Sequence, residues 1–322
     1  MPATPPDGPF PPPVLVLTGP TGTGKSDWAV RVAEIHPVEI VSVDSAMVYR
    51  GLDIGTAKPS RAVRERIPHH LIDICDPTES YSAGRFVADA TARVIEIHSR
   101  GHIPLLVGGT FLYLRALVSG MASLPQASVE LRRELNERAA RVGWPKLHEE
   151  LARLDPEAAT RIHPNDPQRI QRALEVCLST GKPISALQRT SPSALAGYRL
   201  RRWALVPGDR AALNERLAER FKMMMAHGFL REVEALYGRT GLSAEHPAVR
   251  AVGYRQLWAH LAGAVTLAEA VTRGIAATRQ LAKRQLTWIR SDATLERIEP
   301  HAPGAFEHWS RKLREEFCAL GR

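Results

Sequence analysis

The chain has 322 residues, 44% apolar and 24% charged, an ordinary balance for a soluble globular protein with room for two domains. No apolar run approaches the roughly 18 residues that cross a bilayer, so a membrane span is excluded and no membrane partner is expected. The net charge of +9 favours a polyanionic partner, and the scattered Cys75, Cys177 and Cys318 predict reduced thiols in a cytoplasmic protein rather than a disulfide framework.

Residues 1–13 are rich in proline and carry no basic residue, which reads as a flexible extended tail and not as a signal or transit peptide. Val14–Thr18 follows as an apolar strand and runs into Gly19-Pro20-Thr21-Gly22-Thr23-Gly24-Lys25-Ser26. This is a complete phosphate-binding loop. Its glycines let successive N–H groups turn around an anion, Lys25 reaches the outer phosphate oxygens, and the Ser26 hydroxyl suits a bound Mg²⁺. A nucleoside triphosphate such as ATP is the commonest occupant, but any Mg²⁺-pyrophosphate group fits the same cradle.

A helix is expected over 27–35, halted at His36 because Pro37 disfavours helix in the residue before it. Glu39–Val43 reads as a buried strand ending at Asp44. A third strand over Ile103–Val107 ends at Gly108-Gly109-Thr110, and a fourth covers 203–206. Strands alternating with helices predict an α/β fold with a parallel sheet. Ligands collect at the carboxyl ends of such strands, where the loop, Asp44 and Thr110 all fall.

Residues 14–120 are therefore the first part of the core, and 121–199 read as a helical insertion, with Pro145, Pro156, Pro167 and Pro183 near helix starts. In one helix Asn165 or Asp166 is the cap, Ile170, Ala173, Leu174 and Cys177 form the apolar face, and Gln168, Arg169, Arg172 and Glu175 lie opposite. That polar face is either solvated or set against RNA. Residues 200–322 complete the core and end in basic helices, where Arg279, Lys283, Arg284 and Arg290 surround Trp288, placed to stack on a base or to pack a helix.

Taken together, these segments resemble the tRNA dimethylallyltransferase (isopentenyl-tRNA transferase) family. The likeness runs through Gly19–Ser26, Asp44-Ser45-Ala46-Met47-Val48-Tyr49, residues 51–59 (GLDIGTAKP), 69–73 (HHLID), 81–83 (YSA), Gly108-Gly109-Thr110, 165–169 (NDPQR), 252–256 (VGYRQ) and 278–285 (TRQLAKRQ). It spans about Val14 to Ser291, in the family's order. Departures from the common family form occur at Gly22-Thr23, which keeps the cradle, and at Met47. The final thirty or so residues carry no such signal.

The resemblance implies a P-loop kinase-like core with a helical insertion, Mg²⁺ as cofactor, and a monomer. The implied reaction moves a dimethylallyl group from dimethylallyl diphosphate to N6 of adenosine 37 in the tRNA anticodon stem-loop. Asp44 matches the family's proton acceptor, although a strand-end aspartate also suits a Mg²⁺ ligand. Thr110 matches a position near the reacting groups, with a helix cap as its plainer role. Residues 19–26 and Arg220 match diphosphate contacts. The tRNA contacts carry over to Asp44–Met47, Thr110, Arg132, Gln168-Arg169-Ile170-Gln171-Arg172, Arg250-Ala251-Val252-Gly253-Tyr254-Arg255, and Lys283-Arg284-Gln285-Leu286-Thr287-Trp288-Ile289-Arg290. Met223-Met224-Met225 is read as core packing in preference to a prenyl pocket. His69, His70 and His163 lack the spaced partners of a metal site and are read as structural or surface residues.

Two rivals explain less. A small-molecule or nucleotide kinase accounts for the loop but not the basic C-terminal helix. A non-catalytic RNA binder accounts for the charge but not for Asp44 and Thr110 beside the loop.

Overall fold

A computed structural model describes residues 11–120, 124, 128–188 and 192–318. Most of the proline-rich tail and several residues at the start of the insertion lie outside the described residues. The strands are β1 (Pro13–Thr18), β2 (Val38–Val43), β3 (His69–His70), β4 (Ile103–Gly108), β5 (Arg199–Leu205) and β6 (Glu296–Ile298). All pair in parallel, in the order β3-β2-β4-β1-β5-β6. The four central strands are those expected from the sequence; β3 and β6 are added edges. Pro13 belongs to β1, so the tail ends earlier than its composition implies.

β1, β2 and β4 are buried along their whole length, as a parallel sheet covered on both faces requires; β2 alone of the three carries a charged residue, Glu39, within that buried run. The helices are α1 (Lys25–Ala33), α2 (Arg61–Arg66), α3 (Ala83–Ser99), α4 (Phe111–Ser119), α5 (Val129–Val142), α6 (Trp144–Leu154), α7 (Pro156–Arg161), α8 (Pro167–Thr180), α9 (Ile184–Gln188), α10 (Arg210–Ala226), α11 (Phe229–Tyr237), α12 (Tyr254–Leu261), α13 (Leu267–Ser291) and α14 (Ala305–Cys318). α1 begins at Lys25, earlier than expected, because Gly24 adopts the left-handed conformation (φ 79°) and caps it directly from the loop.

The chain divides into two compact units, one of Met1–Leu117 with Leu195–Arg322 and the other of Val118–Ala194. In the first, α1 and α14 share a sheet face. Trp28 of α1 meets Trp309 of α14 with ring centroids 5.3 Å apart, and Leu313 and Phe317 complete the cluster with Leu15, Leu17 and Leu105. The C-terminal residues that carry no family motif thus cover the sheet.

The second unit packs α5–α9 around Leu135, Leu147, Leu151, Ile170, Leu174 and Val176. Asp166, not Asn165, caps α8 by accepting from the Arg169 N–H. Glu175 is a correction. Its spacing puts it on the polar side, yet it is buried and held by Arg132 Nε at 2.9 Å. Cys75 and Cys177 are buried free thiols. Among the described residues no helix is long and apolar enough to cross a membrane.

Glu39 is a buried charge in β2, the strand next to the β3 edge. Its carboxylate accepts from Arg100 Nε (3.0 Å) and Nη2 (2.7 Å), from His70 Nε2 (2.7 Å) and from His102 Nδ1 (2.9 Å). Burial alone raises the Glu39 pKa, but these hydrogen bonds outweigh it and hold the group at about 2. His69 bonds the Ile67 carbonyl oxygen and His163 accepts from the Asn165 N–H, so all three histidines serve structure as expected.

Because the folded protein binds this proton less readily than the unfolded chain, the stability Glu39 contributes is complete above its ordinary pKa of about 4.5 and is lost as pH falls towards 2. The contribution is on the order of 3 kcal/mol. Glu39→Gln is therefore expected to be less stable than wild type at pH 7, with the gap narrowing at pH 3.5. Denaturant unfolding at the two pH values checks this, and a gap that widens in acid contradicts it.

Candidate active site

The register of the sheet brings three chain segments to one edge. Thr18 of β1 and Val43 of β2 both lie opposite Gly108 of β4. The Thr18 hydroxyl donates to the Gly108 carbonyl oxygen at 2.8 Å, and a Cβ at Gly108 would collide with the Val43 backbone. The next residues of each strand are therefore forced together: the phosphate loop, Asp44, and Gly109-Thr110.

They line a cavity of about 970 Å³, at the upper end of the range for small-molecule sites. Thr21–Ser26 form one wall. Gly22 has φ 79°, so the departure from the common loop form keeps the turn that the cradle needs. Thr23 is buried and its hydroxyl donates to the Pro20 carbonyl oxygen at 2.9 Å, fixing the loop from within. Gly19 and Pro20 lie behind this wall, and Gly19 passes too close to Leu205 to carry a side chain.

Asp44 lines the same cavity. Its Oδ1 accepts from the Ala46 N–H at 2.8 Å and the Met47 N–H at 3.1 Å, which fixes the carboxylate plane. Among the described residues Oδ2 takes no hydrogen bond. Met47 thus contributes its backbone N–H to Asp44 whatever its side chain. Thr110 lies beside it, its Oγ1 accepting from the Ser45 N–H at 3.1 Å and meeting the Ser45 hydroxyl at 3.4 Å.

Two cations share the cavity. Lys25 Nζ donates to the Pro20 carbonyl oxygen at 2.6 Å. Burial, followed by the repulsion of Arg220, lowers its pKa to about 7, against a smaller upward pull from Asp44. Burial also lowers the Arg220 pKa, with Asp44 and Asp27 opposing. Both positive charges are thus poorly compensated, and an anionic ligand entering the cavity relieves them.

Comparison with known proteins places the chain in a family. The family model for IPP transferase matches residues 47–292, and that for isopentenyl transferase matches 12–76. The chain is 52% identical over 303 residues to a tRNA dimethylallyltransferase of Methylococcus capsulatus, covering 94% of this chain and 97% of that one. The chain belongs to the IPP transferase family. Its fold is similar to the tRNA isopentenylpyrophosphate transferase of Bacillus halodurans (TM-score 0.69, 35% identity, 96% of this chain and 99% of that one). It also resembles a eukaryotic dimethylallyltransferase captured acting on tRNA (TM-score 0.79, 27% identity, 96% of this chain and 80% of that one).

Within this member of the IPP transferase family, the residues matched to tRNA contacts divide sharply. Arg250, Ala251, Val252, Tyr254, Arg284 and Trp288 line the cavity, with Arg250, Arg284 and Trp288 exposed. Lys283, Thr287, Arg290 and Arg255 are exposed outside it. Leu286 and Ile289 are corrections. Leu286 packs with Leu213 and Leu217, and Ile289 with Ala204 and Leu295, so neither side chain is free to meet RNA. Gly253 is buried against Phe229, and Tyr254 donates its hydroxyl to Glu232 at 2.5 Å. Gln285 is buried and bonded within the protein.

In the second unit Gln168 and Arg169 are exposed, Ile170 is fully buried, and Gln171 donates to the Arg132 carbonyl oxygen and to Asn136. Arg132 and Arg172 both face the buried Glu175.

Met223 and Met224 correct the core reading, since both line the cavity and Met223 is 55% exposed. No motif or spacing marks Glu232 in the sequence. Its carboxylate accepts from the N–H groups of Asp53, Ile54 and Gly55 and so shapes the wall formed by Gly55–Ala57.

Among the described residues no group of three or more His, Cys, Asp or Glu side chains could hold a metal ion. The exposed Ser26 hydroxyl and the Asp44 carboxylate are nonetheless hard oxygen donors on the cavity wall. That set fits Mg²⁺, which keeps several waters and draws other ligands from substrate phosphates.

The Lys25 shift sets a pH dependence. Below about pH 7 the free site carries the ammonium; above it the amine is neutral and must be reprotonated when an anion binds. Affinity for inorganic diphosphate, corrected for the ligand's own ionisation, is expected to fall as pH rises through 7. Lys25→Arg is expected to flatten that profile, because a guanidinium keeps its charge. Calorimetric titration from pH 6 to 9 measures it, and a flat wild-type profile contradicts the assignment.

Proposed function

We propose that the chain transfers a dimethylallyl group from dimethylallyl diphosphate to N6 of adenosine 37 in tRNA, releasing diphosphate. The observation that carries this reading is that Asp44, whose Oδ2 takes no hydrogen bond among the described residues, lines the same cavity as the phosphate loop, Lys25 and Arg220. An anionic donor and a nucleophile that must lose a proton are thereby given one chamber.

The chemistry follows from the charges. The N6 lone pair forms a bond to C1 of the dimethylallyl group while the C1–O bond breaks, its electron pair leaving on diphosphate. N6 becomes acidic only as that bond forms, so a carboxylate is a sufficient base, and the proton passes to Asp44 Oδ2. The Ala46 and Met47 N–H groups hold the other carboxylate oxygen and fix its direction. The loop N–H groups, Lys25 and Arg220 stabilise the departing diphosphate. Ser26 would hold Mg²⁺, which when bound neutralises part of the diphosphate charge.

Holding N6 and C1 in line supplies about 7–11 kcal/mol of barrier reduction. Met223, Met224 and Phe221 give the cavity an apolar side that suits the prenyl group. The adenine must leave its stack to enter, at a cost of a few kcal/mol. Phe111 and Trp288, stacked with centroids 6.4 Å apart, form an aromatic surface at the cavity wall against which neighbouring bases can rest. Lys283, Arg284 and Arg290 supply charge for the RNA backbone. We place the reaction in the cytoplasm and assign it to the monomer.

Asp44→Asn is expected to lower prenyl transfer by about 10²–10⁴-fold while inorganic diphosphate still binds. Transfer of labelled dimethylallyl into tRNA, with mass spectrometry of position 37, measures this; wild-type turnover in the variant removes Asp44 as the base. The double change Lys283→Ala with Arg284→Ala is expected to weaken tRNA binding and to lower the log–log salt slope by about two, one for each lost phosphate contact. Binding titrations across a salt series test it, and an unchanged slope means that these side chains do not meet phosphate.

A further inference from the structure

The Gln285 side chain is aimed inward from α13 and bonded at both ends. Its Oε1 accepts from the Thr21 N–H at 2.8 Å, and its Nε2 donates to the Gly109 carbonyl oxygen at 2.9 Å. Thr21 belongs to the phosphate loop, and Gly109 joins β4 to Thr110. The amide cannot be reversed, because a main-chain N–H only donates and a carbonyl oxygen only accepts. Gly109 is needed for the approach, since a Cβ there would strike Gln285 Nε2. Its neighbour Leu286 is packed against Leu213 and Leu217, and Ile289 against Leu295, so the turn of α13 that carries Gln285 is anchored independently.

We propose that Gln285 is a positioning residue of the donor site, one that holds the diphosphate cradle in its binding shape and makes α13 a structural part of it. This rests on the reading of the loop as a diphosphate cradle. With the Thr21 N–H taken up by Gln285, the ligand draws its main-chain donors from later positions of the loop. The same two bonds fix the spacing between the cradle wall and the segment carrying Thr110, across which donor and acceptor must meet. Lys283, Arg284 and Trp288 are exposed on the adjoining turns, so the helix offered to RNA outside is the helix that braces the donor loop inside.

The test uses the full chain with Mg²⁺-inorganic diphosphate and, separately, with an anticodon stem-loop RNA. Gln285→Met preserves side-chain volume but neither hydrogen bond. It is expected to weaken diphosphate binding about tenfold while RNA affinity stays within about twofold. Gln285→Glu keeps the acceptor for Thr21 and lacks a donor for Gly109 when ionised. Its deficit relative to wild type is expected to shrink as the pH falls from 8 to 4.5, where a carboxyl of ordinary pKa, about 4.3, is partly protonated and restores an O–H donor.

Loss of RNA affinity with diphosphate binding intact would make Gln285 a direct RNA contact and overturn the proposal. Unchanged diphosphate binding in Gln285→Met, or a pH-independent deficit in Gln285→Glu, would also overturn it. Failure of wild type itself to bind diphosphate would instead remove the donor-site reading on which the proposal depends.

Discussion

The active cavity depends on the crowding of three backbones around Gly108. β1 and β4 are tied there by the Thr18 hydroxyl, and β2 runs so close that only a hydrogen fits between Gly108 and Val43. Once these strands are in register, the phosphate loop, Asp44 and Thr110 have no other place to go. Distances between the reacting groups are thus set by a rigid sheet and not by the flexibility of the loops that bear them.

Onto that frame the protein adds an electrostatic imbalance. Lys25 and Arg220 are both desolvated, and Asp44 only partly offsets them. Such an arrangement costs stability in the free protein and lowers the energy of an anionic guest. Asp44 is oriented by its own backbone: the Ala46 and Met47 N–H groups engage one carboxylate oxygen and leave the other without a hydrogen bond among the described residues.

Much of this was legible in the sequence, because it resides in short segments whose conformation is local. Residues 19–26 declare a phosphate loop, and 39–43 and 103–107 are apolar runs with polar residues at their ends. What was not legible depends on neighbours. β3 is the pair His69-His70 and β6 is Glu296–Ile298, too short and too polar to read as strands until an adjacent strand pairs with them. Glu175 looks solvent-facing by spacing alone, and its burial becomes tolerable once Arg132 arrives from α5 to join Arg172. Met223 and Met224 look like core because their helix is adjacent to it. Gln285 falls within a run matched to RNA contacts, yet neither of its hydrogen-bond partners lies near it in the chain.

The packing of Trp309 against Trp28 has a bearing on synthesis. α1, which starts at the phosphate loop, lies on the sheet face that α14 also covers, and β5 joins β1 only after the intervening helical unit has been made. During translation the chain emerges from its amino end, so α5–α9 can consolidate while the sheet of the other unit is still incomplete. The phosphate loop, among the first segments to leave the ribosome, is among the last to acquire its full support, and a nascent chain stalled before α14 carries it with one side of its foundation bare.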